Sequence, residues 1–408
     1  MDRSFRMIAS TLKALLLISW WIAAMPFAGK AQRVLSESEA ITLYLQASPQ
    51  LSASQLLVQQ RKQLQGSQFN LNNPELLLES PTGEFYTLGV QQSFMNPAVY
   101  ARQGQLARVQ TAQSESYAAL TELDVIRKAR EAYLALQYAR NRAKLLQAQD
   151  SVFALIAAFS QRQFQAGERD YLQKLYTELK AAELNRALAE ARSDEAVAHR
   201  RLQLYTGIDD SLVLAPLARN PMIQEVQTSL QDSANRSLTP ALQYVLSGQQ
   251  VAEKAFLLEK SKVLPGITLG YMNQGDASTP VPLRWNVGVD IPIWFWQYNA
   301  SIQAAKTEQK IAYEAIRTEE IEFMQAFEEI IGSIQKYAKS LDYFDSAGLD
   351  QVDELVETAL RMYQAGQTDA VDFLRSLSDA FQIQMDYATL LLAYNQSVIE
   401  LQHLTGTR

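Results

Sequence analysis

Phe164-Gln165-Ala166-Gly167-Glu168-Arg169-Asp170 recurs 199 residues later as Tyr363-Gln364-Ala365-Gly366-Gln367-Thr368-Asp369. The same offset carries Leu88-Gly89-Val90 onto Val287-Gly288-Val289. It also carries Leu202-Gln203-Leu204-Tyr205-Thr206-Gly207 onto Leu401-Gln402-His403-Leu404-Thr405-Gly406. Three glycines in step, with no gap over about 120 residues, mark an internal duplication. The chain is one long unit written twice, with each heptapeptide at the same place in its repeat.

On both sides of each heptapeptide the sequence reads as very long helix. No proline stands between Pro97 and Pro216, and none follows Pro292. Val125, Ala129, Ala132, Leu136, Ala139, Ala143 and Leu146 alternate at three and four spacing, as do Phe323, Phe327, Ile330, Ile334, Tyr337, Leu341 and Phe344. That is the spacing of a coiled-coil seam. A helix over 98–159 extends about 90 Å at ~1.5 Å per residue, more than a compact domain needs. The heptapeptides, at 164–170 and 363–369, are expected to turn these helices into antiparallel pairs. Gly167 and Gly366 suit the left-handed closing position, and Asp170 or Thr368 the N-cap of the returning helix.

Upstream of each long region lies a helical start and then a hairpin. Ser36 with Glu39 three residues on has the capping-box pattern, and Pro49 suits the first turn of a second helix ending near Leu71. Pro49 and Pro74 match Pro240 and Pro265 at an offset of 191, so eight residues are missing between Pro74 and Leu88. Short strands meet there: 75–80 and 85–94 in the first repeat, 266–272 and 283–293 in the second. Trp285, Val287, Val289, Ile291 and Ile293 share one face of the last strand, and Asn286, Gly288, Asp290 and Pro292 the other. Such a strand suits a membrane barrel with a wet lumen, lined here by Asn286 and Asp290, or a β-sandwich buried on one face. Trp294, Phe295, Trp296 and Tyr298 at one end, with Trp285 at the other, look like aromatic belts. Four strands cannot close a membrane barrel, and an open edge is not tolerated in lipid, so the barrel reading requires further copies of the chain.

The remaining bounds are mostly exclusions. The chain has 408 residues, 48% of them apolar, and a net charge of -7 with no long basic block, which argues against nucleic acid. It has no cysteine, hence no disulfide, thiolate metal site or lipidated cysteine. His199 and His403 are the only histidines and are expected to pack rather than bind metal. No motif for a cofactor, a phosphate or a catalytic nucleophile stands out. Arg3, Arg6 and Lys13 before an apolar run over 14–25, with Gly29 and Ala31 following, read as a secretory signal over 1–31. The expected organisation is then a first repeat over 32–207, a connector over 208–237 with little structure of its own, and a second repeat over 238–408.

Signal, helices, hairpin and long helix pair, stated twice, resemble the TolC family of outer-membrane efflux proteins. The motifs that carry the resemblance are the tips F-Q-A-G and Y-Q-A-G and the passage Val289-Asp290-Ile291-Pro292-Ile293. Ser93 stands where the family usually has proline. The resemblance implies a mainly α fold with a small β part. Three chains of four strands close a twelve-stranded barrel, continued by a periplasmic helical barrel. It implies a homotrimer in outer-membrane lipid, working with a periplasmic adaptor and an inner-membrane pump, with no cofactor and no covalent chemistry.

By the same resemblance, Gln165, Ala166, Gly167 and Glu168, with Gln364, Ala365, Gly366 and Gln367, match the segments that meet the adaptor. Asp372 matches the first of two aspartates that ring the closed mouth in some members, and Arg375 stands at the second. The compact length and the passage from Ile293 to Asn299 are similar to the heavy-metal and cation branch, so the expected cargo is metal cations or drugs. The alternative is a soluble periplasmic coiled-coil scaffold or adaptor, which would have no use for apolar strand faces.

Overall fold

The computed structural model describes residues 33–66, 71–80, 83, 86–168, 170–209, 212–221, 239–273 and 280–407. The secretory signal expected over 1–31 lies outside the described residues.

The first repeat opens with a short strand, β1 (Arg33–Val34), and two helices, α1 (Glu37–Ala47) and α2 (Pro49–Gln65). Ser36 caps α1 by accepting from Glu39 N, and Ser48 caps α2 by accepting from Leu51 N ahead of a first-turn proline. Helix α2 is described to Gln65 with Gly66 as its C-cap, and residues 67–70, before the expected end near Leu71, lie outside the described residues. The hairpin β2 (Glu75–Glu79) and β3 (Thr87–Phe94) follows, then α3 (Pro97–Gln165) and α4 (Tyr171–Thr206). Helix α3 is unbroken for 69 residues, about 100 Å.

The second repeat holds α5 (Pro240–Ser261), β5 (Gly266–Asn273), β6 (Trp285–Asp290), α6 (Phe295–Tyr343), α7 (Leu349–Gln364) and α8 (Ala370–Thr405). Helices α4 and α8 are each 36 residues long and stand in step with the duplication. Between α6 and α7 the helix passes through one π turn, Phe344–Gly348, with no counterpart in α3.

The last strand is shorter than expected at both ends. Residues Val281–Arg284 form a 3-10 turn because Pro280 and Pro282 offer no N–H to a ladder. Pairing ends at Asp290 rather than Ile293, two residues before Pro292. The two hairpins join into one antiparallel sheet of order β2-β3-β5-β6, with Gly89 opposite Met272 and Gly270 opposite Asn286.

Helix α3 is the spine. Its expected seam is buried throughout: Val125, Ala129, Ala132, Leu136, Ala139, Ala143 and Leu146 all lie inside. Leu123, Ile126, Tyr133 and Leu134 are buried as well. A helix apolar on several sides has neighbours all round, and α3 packs against α1, α2, α4, α5 and α8. The second seam is covered on one side only. Ile334 and Leu341 are buried against Leu391, Tyr394, Val398 and Leu401 of α8, while Phe323, Phe327, Ile330, Tyr337 and Phe344 remain half-exposed.

The described part of the connector, residues 208–209 and 212–221, has more structure than expected, and residues 222–237 of the expected connector lie outside the described residues. Leu212–Val213 forms β4 and pairs in parallel with β1. Ile208 and Leu212 enter a core with Leu35, Ala40, Leu136 and Leu202, because apolar side chains placed among the polar ones find a cleft between α1, α3 and α4. Residues 214–221 then run across to the second repeat as a strap. Gln137 donates to the carbonyls of Ala215 and Pro216, Asn395 donates to Ala218 O, and Asn220 N donates to Asn395 Oδ1.

His403, near the end of α8, ties the repeats together through Asp124 of α3, at 3.0 Å. Burial pushes the imidazole below the ordinary histidine value, and Arg127 adds to this against the opposing pull of Asp124. His199 is lowered by burial too, with Arg140 adding to it. The unfolded chain therefore binds protons that the native one resists. Stability from this source is complete above the unfolded value of about 6.5 and is lost progressively as pH falls from there through the lowered folded values. Heat denaturation of the purified protein at pH 7.5 and 5.5 should show a loss at the lower pH. The loss should be smaller in His403→Gln.

Candidate functional site

Three groups of residues were expected to matter: the two tips, the mouth beside the second tip, and the polar face of the sheet. Each tip is a Schellman closure followed by an aspartate cap. In the first, Gly167 N donates to Phe164 O at 3.0 Å and Glu168 N to Gln163 O at 2.9 Å. In the second, Gly366 N donates to Tyr363 O at 3.1 Å and Gln367 N to Met362 O at 2.9 Å. Both glycines have positive φ, 77° and 68°, where a side chain would be strained. Asp170 accepts from Gln173 N as expected. In the second tip the cap is Asp369, not Thr368: its Oδ1 accepts from Val371 N at 2.8 Å and Asp372 N at 2.9 Å. The tips are thus alike in both cap residue and position.

The aromatic that opens each heptapeptide packs onto the returning helix. Tyr363 stacks on Phe373 with centroids 4.6 Å apart, and Phe164 lies 5.7 Å from Tyr171 with Lys174 over its ring. Phe159 also meets Tyr363, at 6.4 Å, so the tips sit side by side at one end of the molecule. Below them Phe153 and Ile156 of α3 close a core with Ala359, Phe373, Leu374 and Leu377. Ala166, Gly167, Glu168, Ala365, Gly366 and Gln367 are left exposed at the extremity, with Gln165 and Gln364 ending their helices. Asp372 and Arg375 are both exposed, one turn apart at the start of α8, with their neighbours Phe373 and Leu374 buried. The two side chains carry opposite charge.

The sheet has two unlike faces. Leu76, Leu78, Leu88, Val90, Ile267, Leu269, Trp285, Val287 and Val289 share one face by register, and all are exposed, Leu76 and Val287 at 71%. Exposed Ile291, Ile293, Trp294 and Trp296 continue past the end of β6. On the other face a polar row crosses three strands. Ser93 Oγ lies 3.1 Å from Thr268 Oγ1, which donates to Asp290 Oδ2 at 2.7 Å. Asn286 lies on this face too, its carboxamide over Gly270. Asn286 and Asp290 are therefore brought together on one polar surface, as expected. Strands β2 and β6 are edges with no partner among the described residues.

Among the described residues, no three His, Cys, Asp or Glu side chains are placed to hold a metal ion, and no helix is long and apolar enough to cross a membrane. Two features escaped the sequence reading, the Asp369 cap and the strap. Asp369 was legible as the counterpart of Asp170 in the duplication. The strap was not, because its contacts are with residues far away in sequence.

Residues 233–407 match the family model for outer membrane efflux proteins. No curated protein sequence matches the chain. The fold is similar to that of the CmeC outer membrane channel of Campylobacter jejuni, with TM-score 0.75 at 15% identity over 91% of this chain and 85% of that one. It is similar to CusC, with TM-score 0.73 at 16% identity over 90% and 91% of the two chains. It is also similar to the open state of the MtrE outer membrane channel of Neisseria gonorrhoeae, with TM-score 0.71 at 16% identity over 91% and 88%. The fold is that of TolC-like outer membrane channels, and the resemblance first drawn from the tips and the strand-to-helix passage is borne out.

Loss of the aspartate cap should loosen the second tip. Asp369→Ala should cost about 1 kcal/mol of local stability and speed proteolytic nicking between α7 and α8. Thr368→Ala should leave the nicking rate unchanged. Limited proteolysis of the two variants side by side checks this.

Proposed function

We propose that this chain is the outer-membrane channel of a tripartite efflux system, passing cargo from an inner-membrane pump and a periplasmic adaptor to the outside. One observation carries the reading. Among the described residues, a sheet of four strands with an exposed apolar outer face and two edges without a partner leads into a helix about 100 Å long that folds back at its tip. Hydrocarbon covers such a face while leaving the polar one open to water, and it forbids the open edges. Three copies, pairing β6 of one with β2 of the next, give twelve strands and no edge. The helices continue the wall into the periplasm.

Residue roles follow from that arrangement. Asn286 and Asp290 line the lumen beside Thr268 and Ser93, and Trp285 and Trp294 stand near the two membrane interfaces. The exposed tips around Gly167 and Gly366 are where the adaptor docks. Three copies of Asp372 ring the inner mouth and raise the local cation concentration, with Arg375 one turn away in place of a second acidic ring. Cargo is passed without covalent change, so no residue is assigned a catalytic part. A soluble scaffold would leave the apolar sheet face without a purpose.

The test is to extract the protein from membranes, determine the mass of the purified particle, and record currents in a planar bilayer. A detergent-dependent trimer that conducts ions is expected. A water-soluble monomer or dimer would overturn the channel and favour the scaffold. Val289→Arg, which puts a charge on the outer face midway between Trp285 and Trp294, should cost about 2–4 kcal/mol and deplete the trimer. Asp290→Asn, on the inner face, should leave trimer yield unchanged and lower cation preference.

A further inference from the structure

The duplication supplies an internal control for the one irregularity in the long helices. Residues 145–149 are Leu-Leu-Gln-Ala-Gln and stay α-helical within α3. Their counterparts 344–348 are Phe-Asp-Ser-Ala-Gly and form the π turn between α6 and α7. The two stretches serve the same architectural end, so the irregularity is specific to the second repeat. Single π turns are points at which a helix bends and often mark functional sites.

The surroundings of this turn are built to hold it. Gly348 is buried, and a Cβ there would come within 3.0 Å of Phe344 Cδ1 and 3.2 Å of Tyr343 Cε1, so the turn closes on its own aromatic rings. Phe344 packs against Tyr387 of α8, with centroids 5.7 Å apart. Leu341 and Val352 are buried on either side. Two hydrogen bonds span the site from outside the helix. Tyr387 OH donates to Asp345 Oδ1 at 2.9 Å, and Arg219 Nη1 of the connector strap donates to Asp342 Oδ1 at 2.7 Å. The same guanidinium lies 3.8 Å from Asp345 Oδ2 and 5.0 Å from the centre of the Tyr394 ring. Arg219 thus grips the helix both before and within the π turn.

We propose that Phe344–Gly348 is a hinge on which α7 and the second tip swing relative to α6, and that Arg219 is the clasp that holds it in the conformation described. The strap is anchored on the first repeat by Gln137, so the clasp references the second-repeat segment to the unbroken, buried α3. Arg219, Asp342 and Asp345 are partly exposed, and ion pairs of that kind are weak enough for a docking partner to break. The hinge rests on local geometry. Its role as a gate rests on the channel reading above.

Amide hydrogen exchange of the purified full-length protein tests the hinge without requiring transport. Amides over 344–352 should exchange faster than those over 145–153. Arg219→Ala and Asp345→Asn should each raise exchange over 344–352 by about fivefold, leaving 145–153 unchanged. Arg142→Ala, which breaks the Arg142–Asp194 pair of the first repeat, should leave 344–352 unchanged. Equal exchange in the two repeats, or a rise under Arg219→Ala shared by both, would overturn the hinge. In planar bilayers Arg219→Ala should increase the open fraction. Current that is indifferent to Arg219 would overturn the gating role, whereas absence of current in every variant would remove the channel reading while exchange still decides the hinge.

Discussion

Each unpaired backbone N–H and C=O along a strand edge costs several kcal/mol in hydrocarbon, where no water can satisfy it. This chain carries two such edges, β2 and β6, on a sheet whose outer face is apolar from Leu76 to Val289. In the proposed assembly the need to pair those edges is what brings copies together, and the ring of helices follows from the ring of strands. Exposed apolar residues of the helices then also gain a covering. Leu172, Leu175 and Leu179 of α4, and Ile311, Ile321 and Met324 of α6, lie open on the single chain.

The two repeats are close in backbone and unequal in environment. Helix α3 is enclosed by elements of both repeats, so its seam is small, with four alanines among its seven positions, and fully buried. Helix α6 lies at the flank with bulkier seam residues, covered on one side by α8. The irregular segment, the Phe344–Gly348 turn, is in that flanking helix and beside the strap that joins the repeats. A duplicated unit has thereby acquired one unbroken helical pair and one interrupted by a π turn.

Much of the architecture was legible because its signals are local or periodic. The 3.5-residue seam in α3, the glycine at each tip, the Ser36 cap and the alternation in β6 depend on neighbours within a few residues, and each appears where the pattern places it. The misreadings came where distant groups decide. Strand β6 was drawn too long because apolar alternation continues to Ile293, while the ladder stops at Asp290 ahead of Pro292. The connector was expected to have little structure of its own because its composition is polar, yet in its described first part Ile208, Leu212 and Leu217 pack against helices of both repeats. Thr368 looked like a cap because it follows the glycine closely, but Asp369 reaches the free N–H groups of α8.

By itself the sequence determined the duplication, the helical hairpins with their tips, and a sheet apolar on one face, since those follow from spacing along the chain. Only the tertiary structure decided that the two hairpins merge into one sheet through β3 and β5, and that the tips lie side by side through Phe159 and Tyr363. It also decided that Arg219 meets Asp342 and Asp345 across a π turn. Each of these depends on which faces meet when elements more than a hundred residues apart come into contact, and spacing along the chain does not encode that.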